Sequence, residues 1–231
     1  MRPEPIRPEP MRSEPMRLDV LSDPVCPWCW IGRQHMQAAL AELARDGLRF
    51  AVAWRPFRLN PDMPRDGLPR DDYRRAKFGS MERSRELDAE VAAAARGAGL
   101  VINLDRIGRM PSTLDAHRLI RLAGAGERQD AVVARLFQDF FVNGRDIGDG
   151  AVLADAAAAA GMDRTAVAAH LAGGDGRAEV EAEDAALRAA GLRGVPAFVL
   201  EDRVLFTGAV PAGAFADGLA RACRVLDARR R

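Results

Sequence analysis

Residues 18–33 read LDVLSDPVCPWCWIGR. Leu18 to Ser22 alternates apolar and polar residues, as a short half-buried strand does. Ser22-Asp23-Pro24 breaks that pattern. Cys26-Pro27-Trp28-Cys29 follows at once and opens a helix, with Pro27 in the first turn, where no intrahelical bond is lost. Two cysteines at i and i+3 on a first helical turn can close a short disulfide. The helix N-terminus offers unpaired N–H groups and partial positive charge, and both stabilise a thiolate. Cys26 is therefore expected to be the exposed attacking thiol, and Cys29, one turn deeper, the resolving thiol. A CxxC pair also occurs in zinc sites, which need two more ligands at suitable spacing. Only Cys223, His35, His117 and His170 remain, widely scattered, so no metal is expected; an inert structural pair is the other alternative to redox chemistry.

On either side of this stretch the chain alternates strand and helix. Met36, Ala39, Leu40 and Leu43 mark one helix face, Gly47 ends that helix, and residues 48–54 (LRFAVAW) form a second strand candidate. The order β-α-β suggests a parallel pair. Residues 55–69 are a proline-rich loop, and residues 71–191 look almost wholly helical, with Val133, Leu136, Phe137 and Phe140 on one face and Asp149 and Asp163 at N-cap positions. Residues 195–200 (VPAFVL) and 204–206 (VLF) flank a polar turn and read as a hairpin, followed by a last helix over roughly 211–227. The two ends can form one sheet: residues 18–55 and 192–231 make one domain, and 56–191 a loop and helical insertion. Residues 1–17 repeat MRPEP-IRPEP-MRSEP-MR and read as a disordered proline-rich tail.

The chain has 231 residues, 48% of them hydrophobic and 29% charged, enough for a sizeable core. Its 34 basic and 33 acidic residues leave a net charge of +1, which argues against a dedicated nucleic-acid or anionic-membrane binder. Three cysteines are too few for a disulfide-stapled secreted scaffold, and the proline-rich start has no apolar run of a signal peptide. The expected compartment is the reducing cytoplasm.

Gly194-Val195-Pro196-Ala197-Phe198 is the second informative phrase. A proline after Gly-Val at a strand entrance is a candidate cis peptide, although an ordinary trans proline is the commoner state of X–Pro bonds. A cis turn would present the Val195 backbone to a thiol substrate. Taken with the upstream CPWC helix, the phrases SDPVCPWCWIG, LNPDMP, KFGS, DAHRL, LFQDFFVNGRDIGD and GVPAFV resemble the DsbA family of the thioredoxin superfamily, more narrowly its FrnE-like branch. The resemblance runs from Leu18 to about Leu226. It implies an α/β fold: a thioredoxin-like sheet with a large all-helical insertion lying over the active site. It also implies that Pro196 is cis and packs against the Cys26–Cys29 pair, and that the chain is a thiol–disulfide oxidoreductase acting on protein or small-molecule thiols. Cys26, Cys29 and Pro196 are then the catalytic set, and Pro27, Trp28, Val195 and Asn60 the substrate-binding set. No cofactor beyond the Cys26–Cys29 couple is implied, with glutathione a potential redox partner. The oligomeric state stays open, a homodimer being one option.

Kappa-class glutathione transferases and 2-hydroxychromene-2-carboxylate isomerases belong to the same branch and supply the alternative reading, glutathione-dependent chemistry on a small aromatic or polyketide-like molecule. Those relatives carry serine where Cys26 stands and an acidic glutathione-gripping segment after the final strand, where this chain has Gly208-Ala209-Val210-Pro211. A chaperone-like binder of extended polypeptide is a third, non-enzymatic reading. Among the remaining residues, Trp28 is expected at the mouth of the site and Trp30 in a structural role. His35 reads as a partly exposed helix residue, His117 as a helix-packing one, and Cys223 as a small buried residue of the last helix.

Overall fold

A computed structural model describes residues 14–229. Its centre is strand β1 (Met16–Ser22), which lies between a parallel neighbour, β2 (Phe50–Pro56), and an antiparallel one, β5 (Ala197–Leu200). β6 (Arg203–Thr207) completes the order β2-β1-β5-β6. Val20 sits opposite Trp54 on one side and Phe198 on the other, so the first and last parts of the chain share one sheet. Helix α1 (Pro27–Arg45) connects β1 to β2 and packs against the last helix, α9 (Ala212–Ala228). β1 alternates only in its first half: Val20, Leu21 and Ser22 are all buried, because Leu21 meets Phe57 and Ala197 on the second face.

The remaining helices lie between β2 and β5: α2 (Arg70–Phe78), α3 (Met81–Gly97), α4 (Leu114–Ala123), α5 (Glu127–Phe141), α6 (Gly150–Ala159), α7 (Arg164–Ala172) and α8 (Arg177–Ala189). Asp149 and Asp163 cap α6 and α7 through their side chains, accepting from Ala151 and Val152 N–H and from Ala166 N–H respectively, which satisfies donors that have no intrahelical partner. Gln129 of α5 ties this region to the β2 edge. Its amide oxygen accepts from Trp54 N–H at 2.8 Å and its amide nitrogen donates to Trp54 and Ile120 carbonyls. That side chain thereby occupies main-chain groups of an otherwise open strand edge. One apolar cluster runs from Leu18 and Val20 through Trp30 to Phe137, Phe140 and Leu153, so sheet and insertion share a core.

Two expectations need correction. Met16 and Arg17 belong to β1, not to a tail: Met16 pairs with Phe50, and Arg17 forms ion pairs with Asp19 and Asp202. The disordered-tail expectation for residues 1–13 lies outside the described residues. The insertion is also not all helical. Leu68–Pro69 (β3) and Arg109–Met110 (β4) form a two-stranded antiparallel ladder, extended by an Arg70 N–H bond to Gly108 O at 3.0 Å.

Candidate active site

The CPWC segment sits where the break after β1 turns into α1. Asp23 O accepts from Cys26 N–H at 2.9 Å, which closes that turn. Cys26 is the N-cap residue, with extended backbone, and Pro27 begins the helix. No acidic residue lies in the first turn, so nothing there offsets the positive end of the helix dipole. Cys26 and Cys29 are both free thiols, close enough for the Cys26 sulfur to act on Cys29.

The expectation of an exposed Cys26 does not hold: Cys26 is only 4% exposed and Cys29 1%. Two elements account for this. The Val195 carbonyl approaches Cys26 Sγ to 3.8 Å, and the insertion places α2, α3 and the end of α5 above the pair. Burial pushes the Cys29 thiol well above the ordinary cysteine range, and the neighbouring Cys26 sulfur pushes it further. The Ser22 side chain and the Asp23 backbone act in the opposite direction but do not outweigh burial. Cys29 is thus held as a neutral thiol beneath its partner.

The Val195–Pro196 peptide is cis. Pro196 is buried, and its carbonyl accepts from Gly208 N–H at 2.7 Å, which fixes the entrance of β5. Gly32, one turn beyond Cys29, makes the approach of this segment to α1 feasible. A Cβ built there would stand 3.0 Å from Pro196 Cγ and 3.3 Å from Phe198 Cζ. Neither Gly32 nor its role was singled out from sequence, although the CWIG spelling contained it.

Above Cys26 lies a cavity of about 310 Å³. Val25, Cys26, Pro27 and Trp28 form one wall, Tyr73, Phe78 and Val91 the facing one, and Phe140 and Phe141 close the back. Trp28 is 40% exposed at its mouth. Trp30, by contrast, is buried and packs against both Phe137 and Phe141, with centroids 6.1 and 5.7 Å away. Val195 lines the cavity. Asn60 does not: its Oδ1 accepts from Tyr73 OH at 2.9 Å and from Lys77 Nζ at 3.2 Å, at the rim. Lys77 opens the KFGS phrase but was given no role from sequence, and Tyr73 carried no signal, since α2 otherwise reads only as a charged helix.

Behind the cysteines, Asp23 is fully buried. Its Oδ2 accepts from Leu59 N–H at 2.7 Å, while Oδ1 faces His117 Nε2 at 3.6 Å. His117 therefore backs the site rather than facing the cleft, and it reaches a small second cavity beside Trp54 and Glu183. His35 is half-buried, with Nδ1 3.0 Å from Val210 O. Cys223 is buried in α9. Among the described residues no cluster of His, Cys, Asp and Glu could hold a metal ion, and no helix is long and apolar enough to cross a membrane.

A thioredoxin-like sheet, a CxxC pair opening the first helix and a cis-proline loop against it define the thiol–disulfide exchange class of this fold. The chain belongs to the DSBA-like thioredoxin domain family, whose model matches residues 17–220. It is 34% identical to a protein described as a probable DsbA oxidoreductase, SCO1869 from Streptomyces coelicolor; the match covers 90% of this chain and 89% of that one, with a TM-score of 0.79. The fold also matches the cytosolic disulfide reductase DsbM from Pseudomonas aeruginosa, solved with GSH, at 21% identity and a TM-score of 0.62 over 90% of this chain and 99% of that one. Among curated proteins, YwbO of Bacillus subtilis, itself uncharacterized, is 25% identical over 192 residues, 81% of this chain and 88% of that protein.

Proposed function

We propose that the protein is a FrnE-like thiol–disulfide oxidoreductase that works through a mixed disulfide at Cys26. The observation that carries this reading is the placement of the two sulfurs. Cys26 stands at a helix N-terminus against an apolar cavity, and Cys29 lies directly beneath it as a neutral thiol. In the reductive direction the Cys26 thiolate attacks one sulfur of a substrate disulfide. A Cys26–substrate S–S bond forms, and the other half leaves as a thiolate. Cys29 then gives up its proton and attacks Cys26 Sγ, so the Cys26–Cys29 bond forms and the second thiolate departs. Two electrons have moved from the pair to the substrate. The oxidative direction is the same sequence reversed. The couple is its own redox centre and needs no further cofactor, and glutathione is a fitting small-molecule partner. The cytoplasm is the proposed compartment.

The test is to equilibrate the protein in graded glutathione redox buffers, trap thiols and measure mass, with Cys29→Ser in parallel. A reversible two-electron Cys26–Cys29 couple, and a trapped Cys26 adduct in Cys29→Ser, are expected. If no Cys26–Cys29 disulfide forms and reduced glutathione binds non-covalently, the glutathione-dependent transferase or isomerase takes the place of this reading.

A further inference from the structure

Lys77 is the only lysine among 34 basic residues, and it stands on α2 at the rim of the cavity above Cys26. Its Nζ donates to Tyr73 OH at 2.6 Å and to Asn60 Oδ1 at 3.2 Å, both neutral acceptors, so its charge has no acidic partner in this cluster. Two turns and one turn before Lys77, Arg70 and Arg74 share a single carboxylate, Asp88, at 2.7 and 2.5 Å. The cavity lining therefore carries three cations, Arg70, Arg74 and Lys77, against two acids, Asp88 and Glu90. Burial lowers the Arg74 guanidinium's hold on its proton, and Arg70 lowers it further, with Asp88 pulling the other way. The α2 side of the cavity is thus short of negative charge, while the interior beside Cys26 is apolar and aromatic.

Resting on the oxidoreductase reading, we propose that the substrate is a small-molecule thiol or disulfide with an apolar, ring-sized body and an anionic group. The body fills the cavity between Cys26 and Phe140, and the anionic group meets Lys77 and Arg74. A volume of about 310 Å³ is at the small end of ligand pockets and takes a substituted ring rather than a length of folded chain. With such a disulfide, Cys26 thiolate forms Cys26–S–S–R and releases the other half as RS⁻, so sulfur, charge and electrons balance within the exchange.

Three disulfides separate the contributions in the Cys29→Ser variant, each rate being divided by that of the same disulfide with a short cysteine peptide. They are 5,5′-dithiobis(2-nitrobenzoate), aromatic and anionic; 2,2′-dithiodipyridine, aromatic and uncharged; and 2-hydroxyethyl disulfide, neither. The normalised rate should fall in that order, with about tenfold between first and last. Lys77→Met should shrink the ratio of the first to the second probe. Leu87→Trp, which fills the cavity from α3, should shrink the ratio of the second to the third; circular dichroism confirms that each variant is folded. Equal normalised rates for all three overturn the proposal and leave the oxidoreductase reading standing, as does faster reaction with a scrambled-disulfide protein. Failure of every disulfide to react at Cys26 overturns both.

Discussion

Substituting Gly32 by alanine sets two effects of known size against each other. Gly32 lies inside α1, where alanine is intrinsically better than glycine by about 1 kcal/mol. Its added methyl, however, would meet Pro196 Cγ at 3.0 Å and Phe198 Cζ at 3.3 Å, inside the optimum carbon separation of about 3.5–4.0 Å. Pro196 is buried and tied through its carbonyl to Gly208, and Phe198 is packed edge-on against Phe215 with centroids 4.7 Å apart, so neither yields freely. Overpacking a filled core costs about 1–3 kcal/mol. The net expectation is a loss of about 1 kcal/mol in stability. Because Val195 O is 3.8 Å from Cys26 Sγ, displacement of the Val195–Pro196 segment should also slow mixed-disulfide formation. Gly97→Ala at the end of α3 is the control: its new Cβ meets nothing within 4 Å, so it should stabilise by roughly 0.5 kcal/mol. Urea titrations followed by tryptophan fluorescence measure both variants, and stopped-flow reaction with a model disulfide measures the thiol. If Gly32→Ala is stabilised as much as Gly97→Ala and reacts at the wild-type rate, the close apposition of α1 and the Pro196 segment does not exist in solution.

Further outcomes follow from buried polar groups. Cys29 titrates higher in the folded chain than in the unfolded one, so the reduced protein should keep its full stability below the unfolded cysteine value of about 8.5 and lose it as pH rises above that; urea midpoints between pH 7 and 10 should fall more steeply than those of Cys29→Ala, and identical slopes would refute the assignment. Asp130 accepts from Arg33 Nε at 2.9 Å, Gln37 Nε2 at 2.8 Å and Trp54 Nε1 at 3.2 Å, joining α5 to α1 and β2. Asp130→Ala should therefore cost about 3 kcal/mol in chemical denaturation, since it strands the largely buried Arg33. Arg118 is fully buried and donates to the carbonyls of Asp175, Leu171, His170 and Gly173 and to Asp115. Arg118→Met should loosen the α7–α8 corner, seen as new proteolysis near residue 174; resistance equal to wild type would count against this anchoring role.

What the sequence made legible is local chemistry. The strand–CPWC–helix order, the capping aspartates Asp149 and Asp163 and the hairpin near the C-terminus each depend on residues within one or two turns of one another, and each stands in the structure. The start of β1 is hidden in the sequence because the repeating Arg-Glu-Pro units run into Met16 and Arg17, whose pairing with Phe50 and Asp202 comes from distant chain. The β3–β4 ladder has two residues per strand and contains a proline, too short for any period to show.

The burial of Cys26 lies beyond pattern reading for a deeper reason. Helix-opening position and residue type say that the thiol faces outward from α1, and they are right about α1 alone. The wall opposite is supplied by Tyr73, Phe78 and Val91 from α2 and α3 and by Phe140 and Phe141 from α5. Of these, α5 is held over the site by contacts such as Gln129 to Trp54 and Asp130 to Arg33. None of these pairs has a sequence signature, because a buried Gln or Asp reads as a solvated helix residue until its partners are known. The same holds for Asp23 and His117, which meet at 3.6 Å only because β1 and α4 converge behind the cysteines. The reactive group is therefore written in four consecutive residues, whereas what reaches it is governed by long-range polar contacts that position the insertion.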